Sequence, residues 1–216
     1  MELTSNRPTK KETQSLPIVS QQVKACCARY PLLTCRSDVL LEKFPANYPH
    51  KIALFCSDIA TAHSGTTPTI AALSQVHGPV ISTAIIASWI ASLDSYVGKG
   101  VLNSLQIEEL SVLLLQSGYF VKLAEMAVFF QMLKSGKFGQ LYGTLSPIWV
   151  MEQFQSFLTH RRQELEKYDR EQERNRREAE REQWKHDRAS PEEIAEIRAK
   201  YPDEVNGLLD TVINAK

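Results

Sequence analysis

The sequence predicts an all-α protein: a compact helical domain with a long charged C-terminal helix and short terminal helices. Three observations lead there. Prolines and glycines stand at the starts and ends of apolar-periodic runs, where helices accept them. Apolar residues recur at steps of three and four, as at Leu123, Met126, Ala127, Phe130 and Leu133. Beyond Tyr168 the chain is rich in Glu, Arg and Gln, which favour helix even without an apolar face.

Taken in order, residues 1–22, "MELTSNRPTKKETQSLPIVSQQ", are polar and lack the apolar run of a signal peptide, so they read as a disordered arm of a cytoplasmic protein. A helical domain is drawn from 36 to 168. Within it residues 36–60 are ambiguous, because "KIALFC" fits a short strand or a buried helical segment, and the helical reading is adopted. Between Lys51 and Lys99 there is no Lys or Arg, and only Asp58 and Asp94 are acidic. Such a block belongs inside a globule. Thr67 as cap, Pro68 at the first position and Gly78 beyond the end set one helix over 68–77, and Pro79 and Gly98 set the next over 79–97. The uncharged run of this second helix stops at Asp94, short of the roughly 20 residues a bilayer span needs, so it is expected as a buried central helix, with Trp89 buried and Ile85, Ile86, Leu93 and Tyr96 nearby on or beside its faces.

Ser104 then precedes a helix with Glu108 and Glu109 in its early turns, Leu105, Leu110, Leu113 and Leu114 on its apolar face, and Gly118 at its end. The run from Leu123 closes at Gly136. After a glycine-rich junction, Ser146 and Pro147 open a helix whose stripe of Val150, Phe154, Phe157, Leu158 and Leu165 ends at Tyr168. Residues 169–188 continue it as a charged extension: from His160 to Arg188 ten Lys and Arg face nine Asp and Glu, and Glu166 with Arg170 and Glu173 with Arg177 fall one turn apart. A heptad register through Leu158, Leu165, Gln172 and Ala179 makes a poor coiled-coil seam. Residues 190–216 form short C-terminal helices, opened by a capping box of Ser190 and Glu193.

Composition narrows function. With 25 Lys and Arg against 25 Asp and Glu, the 216-residue chain lacks the basic excess that would steer it as a whole to nucleic acid or an anionic membrane. Cys26, Cys27, Cys35 and Cys56 form no C-x-x-C pair and His50, His63 and His77 follow no zinc spacing, so no metal is expected and the thiols read as buried and reduced. The glycines of "GKFGQLYG" lack a phosphate-loop spacing, and no spaced nucleophile, base and orienter is found. A non-enzymatic protein without cofactor follows.

The junction itself allows three readings. Gly136, Gly139 and Gly143 permit left-handed turns, with Phe138, Leu141 and Tyr142 plugging the gap between helices. Alternatively Lys134, Lys137, Phe138 and Tyr142, together with Arg161 and Arg162, form a contact surface for a protein partner, or one for nucleic acid. The reading adopted combines them: a rigid aromatic plug whose outward lysines serve a macromolecular partner, with a protein preferred.

Residues 67–168, and above all Phe129, Phe130, Lys134, Gly136, Lys137, Phe138, Gly139, Leu141, Tyr142, Gly143, Ser146 and Pro147, resemble an uncharacterised helical protein family encoded in prophages and integrative or mobile elements of Bacteroidetes-type bacteria. The resemblance implies a small helical mobile-element protein with no assigned activity. In plan it is also similar to phage helicase loaders, which implies a replication-associated adaptor contacting a helicase or initiator. Self-association through the long helix and weak DNA binding are the alternatives, and the oligomeric state stays open.

Overall fold

The computed structural model describes residues 18–56, 58–98, 101–139, 144–187 and 191–200. Every regular element among them is helical, as the sequence predicts: α1 (Ile18–Arg29), a 3-10 turn (Pro31–Thr34), α2 (Ser37–Lys43), α3 (Tyr48–Ile52), α4 (Ile59–Ser64), α5 (Ile70–His77), α6 (Pro79–Val97), α7 (Ser104–Ser117), α8 (Leu123–Lys134), α9 (Pro147–Asp187) and α10 (Pro191–Lys200). Residues 18–22, assigned above to the arm, belong to α1. The chain divides into two units, residues 1–165 and 166–216.

The helix enclosed on nearly all sides is α8, not α6. Leu123 through Phe130, then Met132 and Leu133, are all buried. A helix apolar all round has no face to give to water. In the first unit α3, α4 and α6 pack on α8, and α9 lays Phe154 and Phe157 on Phe129, with ring centroids 5.0 and 5.2 Å away. Helix α6 is long and apolar enough to cross a bilayer by composition, yet here it packs against α2, α5, α7 and α8. Trp89 is fully buried at its centre, stacked on Tyr48 at 5.6 Å, edge-on to Phe130 at 5.9 Å, its Nε1 donating to the Pro45 carbonyl at 3.0 Å. Tyr96 stands at the exposed end of the helix, 63% accessible, where its ring receives the Lys134 ammonium.

Several helix boundaries differ from the sequence reading because tertiary partners claim the capping groups. Thr67 does not cap α5; its hydroxyl accepts from the Ala124 amide at 3.4 Å, and Thr69 caps the Ala72 amide instead. The lead-ins of α5 and α8 pair through an isolated antiparallel bridge between Thr69 and Lys122, with Ile70 N on Val121 O and Leu123 N on Pro68 O, both at 3.0 Å. Helix α7 starts on a capping box of Asn103 and Gln106, one residue before the Ser104 expected to cap it. Gly118 ends α7 for steric reasons, since its φ is −116° while an added Cβ would lie 2.7 Å from Phe154 Cζ. Buried Asp94 ties α6 to the segment leading into α7 by accepting from the amides of Val101 and Leu102 at 3.3 and 3.2 Å.

Helix α9 starts as read, with Ser146 Oγ accepting from the Trp149 amide at 3.1 Å. Its later turns are laced by ion pairs one turn apart, among them Arg177 with Glu173 at 2.7 Å and Arg170 with Glu166 at 3.8 Å. The hydrogen bond from Arg177 holds the exposed Glu173 carboxyl below the usual range. In the second unit α10 follows, while Ser190 and residues 201–216 lie outside the described residues.

Candidate functional site

The junction forms a real turn. Gly136 and Gly139 have φ of 71° and 102°, conformations that a side chain disfavours, and the turn closes on itself through Lys137 N to Met132 O and Gly139 N to Gly136 O, both at 3.0 Å. Phe138 turns inward against the core, its ring 6.4 Å from that of Phe129. Leu141, Tyr142 and Gly143 lie outside the described residues.

Of the six candidate residues Tyr142 is outside the described ones, and the other five, Lys134, Lys137, Phe138, Arg161 and Arg162, do not converge on one surface. Lys134 points in rather than out: its Nζ donates to Ser92 Oγ at 3.1 Å and stands 5.4 Å from the centroid of the Tyr96 ring, and burial pushes its pKa down. Lys137 is exposed, with Nζ 3.2 Å from His160 Nε2. Arg162 is exposed as well.

Arg161 is engaged inside the first unit. Glu125 of α8 is completely buried, and Arg161 of α9 meets it with two prongs, Nε to Oε1 at 2.8 Å and Nη2 to Oε2 at 3.2 Å. A carboxylate buried in an apolar helix needs such a partner, and that need withdraws Arg161 from any outward role. His63 Nδ1 lies 3.1 Å from Glu125 Oε1, and the Lys122 amide donates to Oε2 at 2.8 Å. The Lys122 ammonium sits on the carbonyls of His63 and Gly65, the latter at 2.7 Å, so it closes the C-terminal end of α4 where the helix dipole favours a cation. Desolvation lowers its pKa, opposed by the Glu125 carboxylate. Arg161 also covers the face of Phe120 at 5.3 Å. This cluster joins α4, α8 and α9 and is structural in geometry.

The exposed apolar surface lies elsewhere, along α7. Leu110 and Leu114 are buried as expected, but Leu105 and Leu113, assigned to the same inner face, are 61% and 45% exposed. The correction is one of crowding: Leu105, Ile107, Leu110, Val112, Leu113, Leu114 and Leu115 spread over more of the helix than one contact face can cover. That excess of apolar residues was the signal in the sequence. On one flank α6 and α7 form a groove of about 430 Å³ lined by Val80, Ala84, Ala87, Ile107 and Val112. On the other, Leu113 with Pro147, Ile148 and Met151 lines a groove of about 320 Å³. Val80 and Ile148 are 76% and 73% exposed. Helices α6 and α7 contain no Lys or Arg, and the charged groups lining the two grooves are carboxylates, Glu108 in one and Glu152 in the other.

No curated protein and no solved structure gives a significant match to the chain. Residues 103–198, which take in α7, α8, α9 and most of α10, are similar to a family of unknown function, DUF6633.

Proposed function

We propose that this chain is a non-enzymatic adaptor of a phage or mobile element, acting in DNA replication in the cytoplasm by receiving a helix of its partner along α7. The observation that carries the reading is the pair of apolar grooves flanking α7, edged by carboxylates. Contiguous exposed apolar surface on a folded domain marks an interaction site. A groove beside a helix takes an amphipathic helix with anchors at steps of three and four, and Glu108, Glu109 and Glu152 favour one with Lys or Arg beside its apolar stripe. The helical domain and charged extension, similar in plan to helicase loaders, support a replicative helicase or an initiator as the partner.

The test mixes the full chain with a bacterial replicative helicase, and separately with a replication initiator, and measures association by analytical ultracentrifugation. A complex with either, weakened at least tenfold by Val112→Lys or Ile148→Lys in a chain whose thermal transition is unchanged, supports the reading. No complex with either protein, or complexes indifferent to both substitutions, overturns it. Binding to DNA alone that falls steeply with salt would put direct DNA binding in its place.

A further inference from the structure

Where α6 and α8 end and α9 begins there is a cavity of about 410 Å³ with Lys134 on its wall. Leu93, Val97, Leu133, Leu145 and Trp149 supply apolar lining, beside a comparable share of polar surface that includes Ser135 and the turn backbone at Gly136 and Gly139. An ammonium has three N–H groups. Ser92 Oγ takes one and the face of Tyr96 attracts a second. Among the described residues no further acceptor and no carboxylate meets the third. Desolvation depresses this amine, so the cation is held partly out of water, and among the described residues it has no counter-ion.

A desolvated, uncompensated charge costs free energy that an opposite charge in the same cavity would recover. Binding cavities for small molecules run from about 300 to 1,000 Å³ and combine apolar walls with a few placed polar groups. The turn amides at Gly136, Lys137 and Gly139 are already spent on Leu133 O, Met132 O and Gly136 O, so these three offer no cradle of N–H groups to a phosphate. One cation beside the apolar part of the lining, Val97, Leu145 and Trp149, suits a monoanion with a hydrocarbon body.

We propose that this cavity binds a small organic carboxylate, with its charge on Lys134 and its apolar body against Trp149, Leu145 and Val97. The site is separate from the α7 grooves and does not depend on the adaptor role. Titration calorimetry on the full chain tests it with phenylacetate, its uncharged isostere phenylacetamide, and inorganic phosphate. Saturable binding of phenylacetate is expected, at least tenfold weaker for phenylacetamide and for phosphate. The same loss is expected for phenylacetate on Lys134→Met, whereas Lys137→Met keeps the parent affinity. The comparison of acid with amide uses the unaltered chain, so it stands even if Lys134→Met folds poorly. Absence of saturable phenylacetate binding, or less than a tenfold preference over the amide or over phosphate, overturns the proposal. So does a Lys134→Met chain that folds and binds within tenfold of the parent.

Discussion

Replacing Arg161 by Met removes the charge that Glu125 meets inside the first unit while keeping a long apolar side chain. Glu125 has no solvent exposure and the Arg161 side chain only 13%, so the pair is of the buried kind. Removing one partner of such a pair costs about 3 to 5 kcal/mol, because the remaining charge stays desolvated. Here the Lys122 amide and His63 still face the carboxylate, which places the cost near the lower end, about 3 kcal/mol. For a chain of this size that is a fall in Tm of about 6 to 12 °C. Arg162→Met, one residue away but exposed, should stay within about 0.5 kcal/mol of the parent. Urea denaturation of both variants measures the contrast. Combining Arg161→Met with Glu125→Leu should cost less than the sum of the single changes, since the double variant leaves neither charge orphaned. An Arg161→Met protein as stable as Arg162→Met, or strictly additive singles, would refute the claim that this pair is buried and coupled.

Trp89→Ala should cost about 3 to 5 kcal/mol in the same assay by opening a cavity between Tyr48 and Phe130; a variant as stable as the parent would place α6 at the surface. Gly118→Ala should destabilise by about 1 to 3 kcal/mol, because the methyl meets the buried Phe154 ring at 2.7 Å and the Leu114 carbonyl at 3.0 Å, and a neutral result would mean that the α7–α9 approach is looser than described. A chain ending at Asp169 should keep a cooperative thermal transition, since the first unit closes at Leu165 and exposed ion pairs each contribute only a few tenths of a kcal/mol; loss of that transition counts against this. The stability of the parent relative to Lys134→Met should rise with pH: the lysine's folded pKa is depressed, so its penalty is fully present below that value and fades as pH climbs to the unfolded 10.5, and a difference constant from pH 7 to 10.5 would contradict the burial of that amine.

Signals local to a helix were readable in advance. Pro79 and Gly98 bound α6, Ser146 and Pro147 open α9, and Gly136 and Gly139 take the left-handed conformations expected of them. Misreadings arose where a group answers to something far along the chain. In sequence Arg161 reads as part of an outward surface, but its partner Glu125 is 36 residues away; nothing in either neighbourhood reveals the pairing. Lys134 and Lys137 stand three apart in sequence yet one turns to Ser92 and the other to His160, because Lys134 ends α8 while Lys137 lies past Gly136, whose positive φ redirects the chain. Gly118 was readable as a helix end, but its steric reason resides in Phe154, on another helix. The candidate surface along α7 was written in plain composition, as leucines too many for one face.

Lys122 has a consequence for how the domain opens. Helix α4 has six residues, too few to persist alone in water, and its terminal carbonyls are held by an ammonium 57 to 59 positions further along. The amides of α4 and those of the first turn of α8 should therefore exchange with deuterium as one cooperative block, each losing protection when the other does. Closing that long loop precedes any gain from it, so this block should also be among the last to gain protection on refolding.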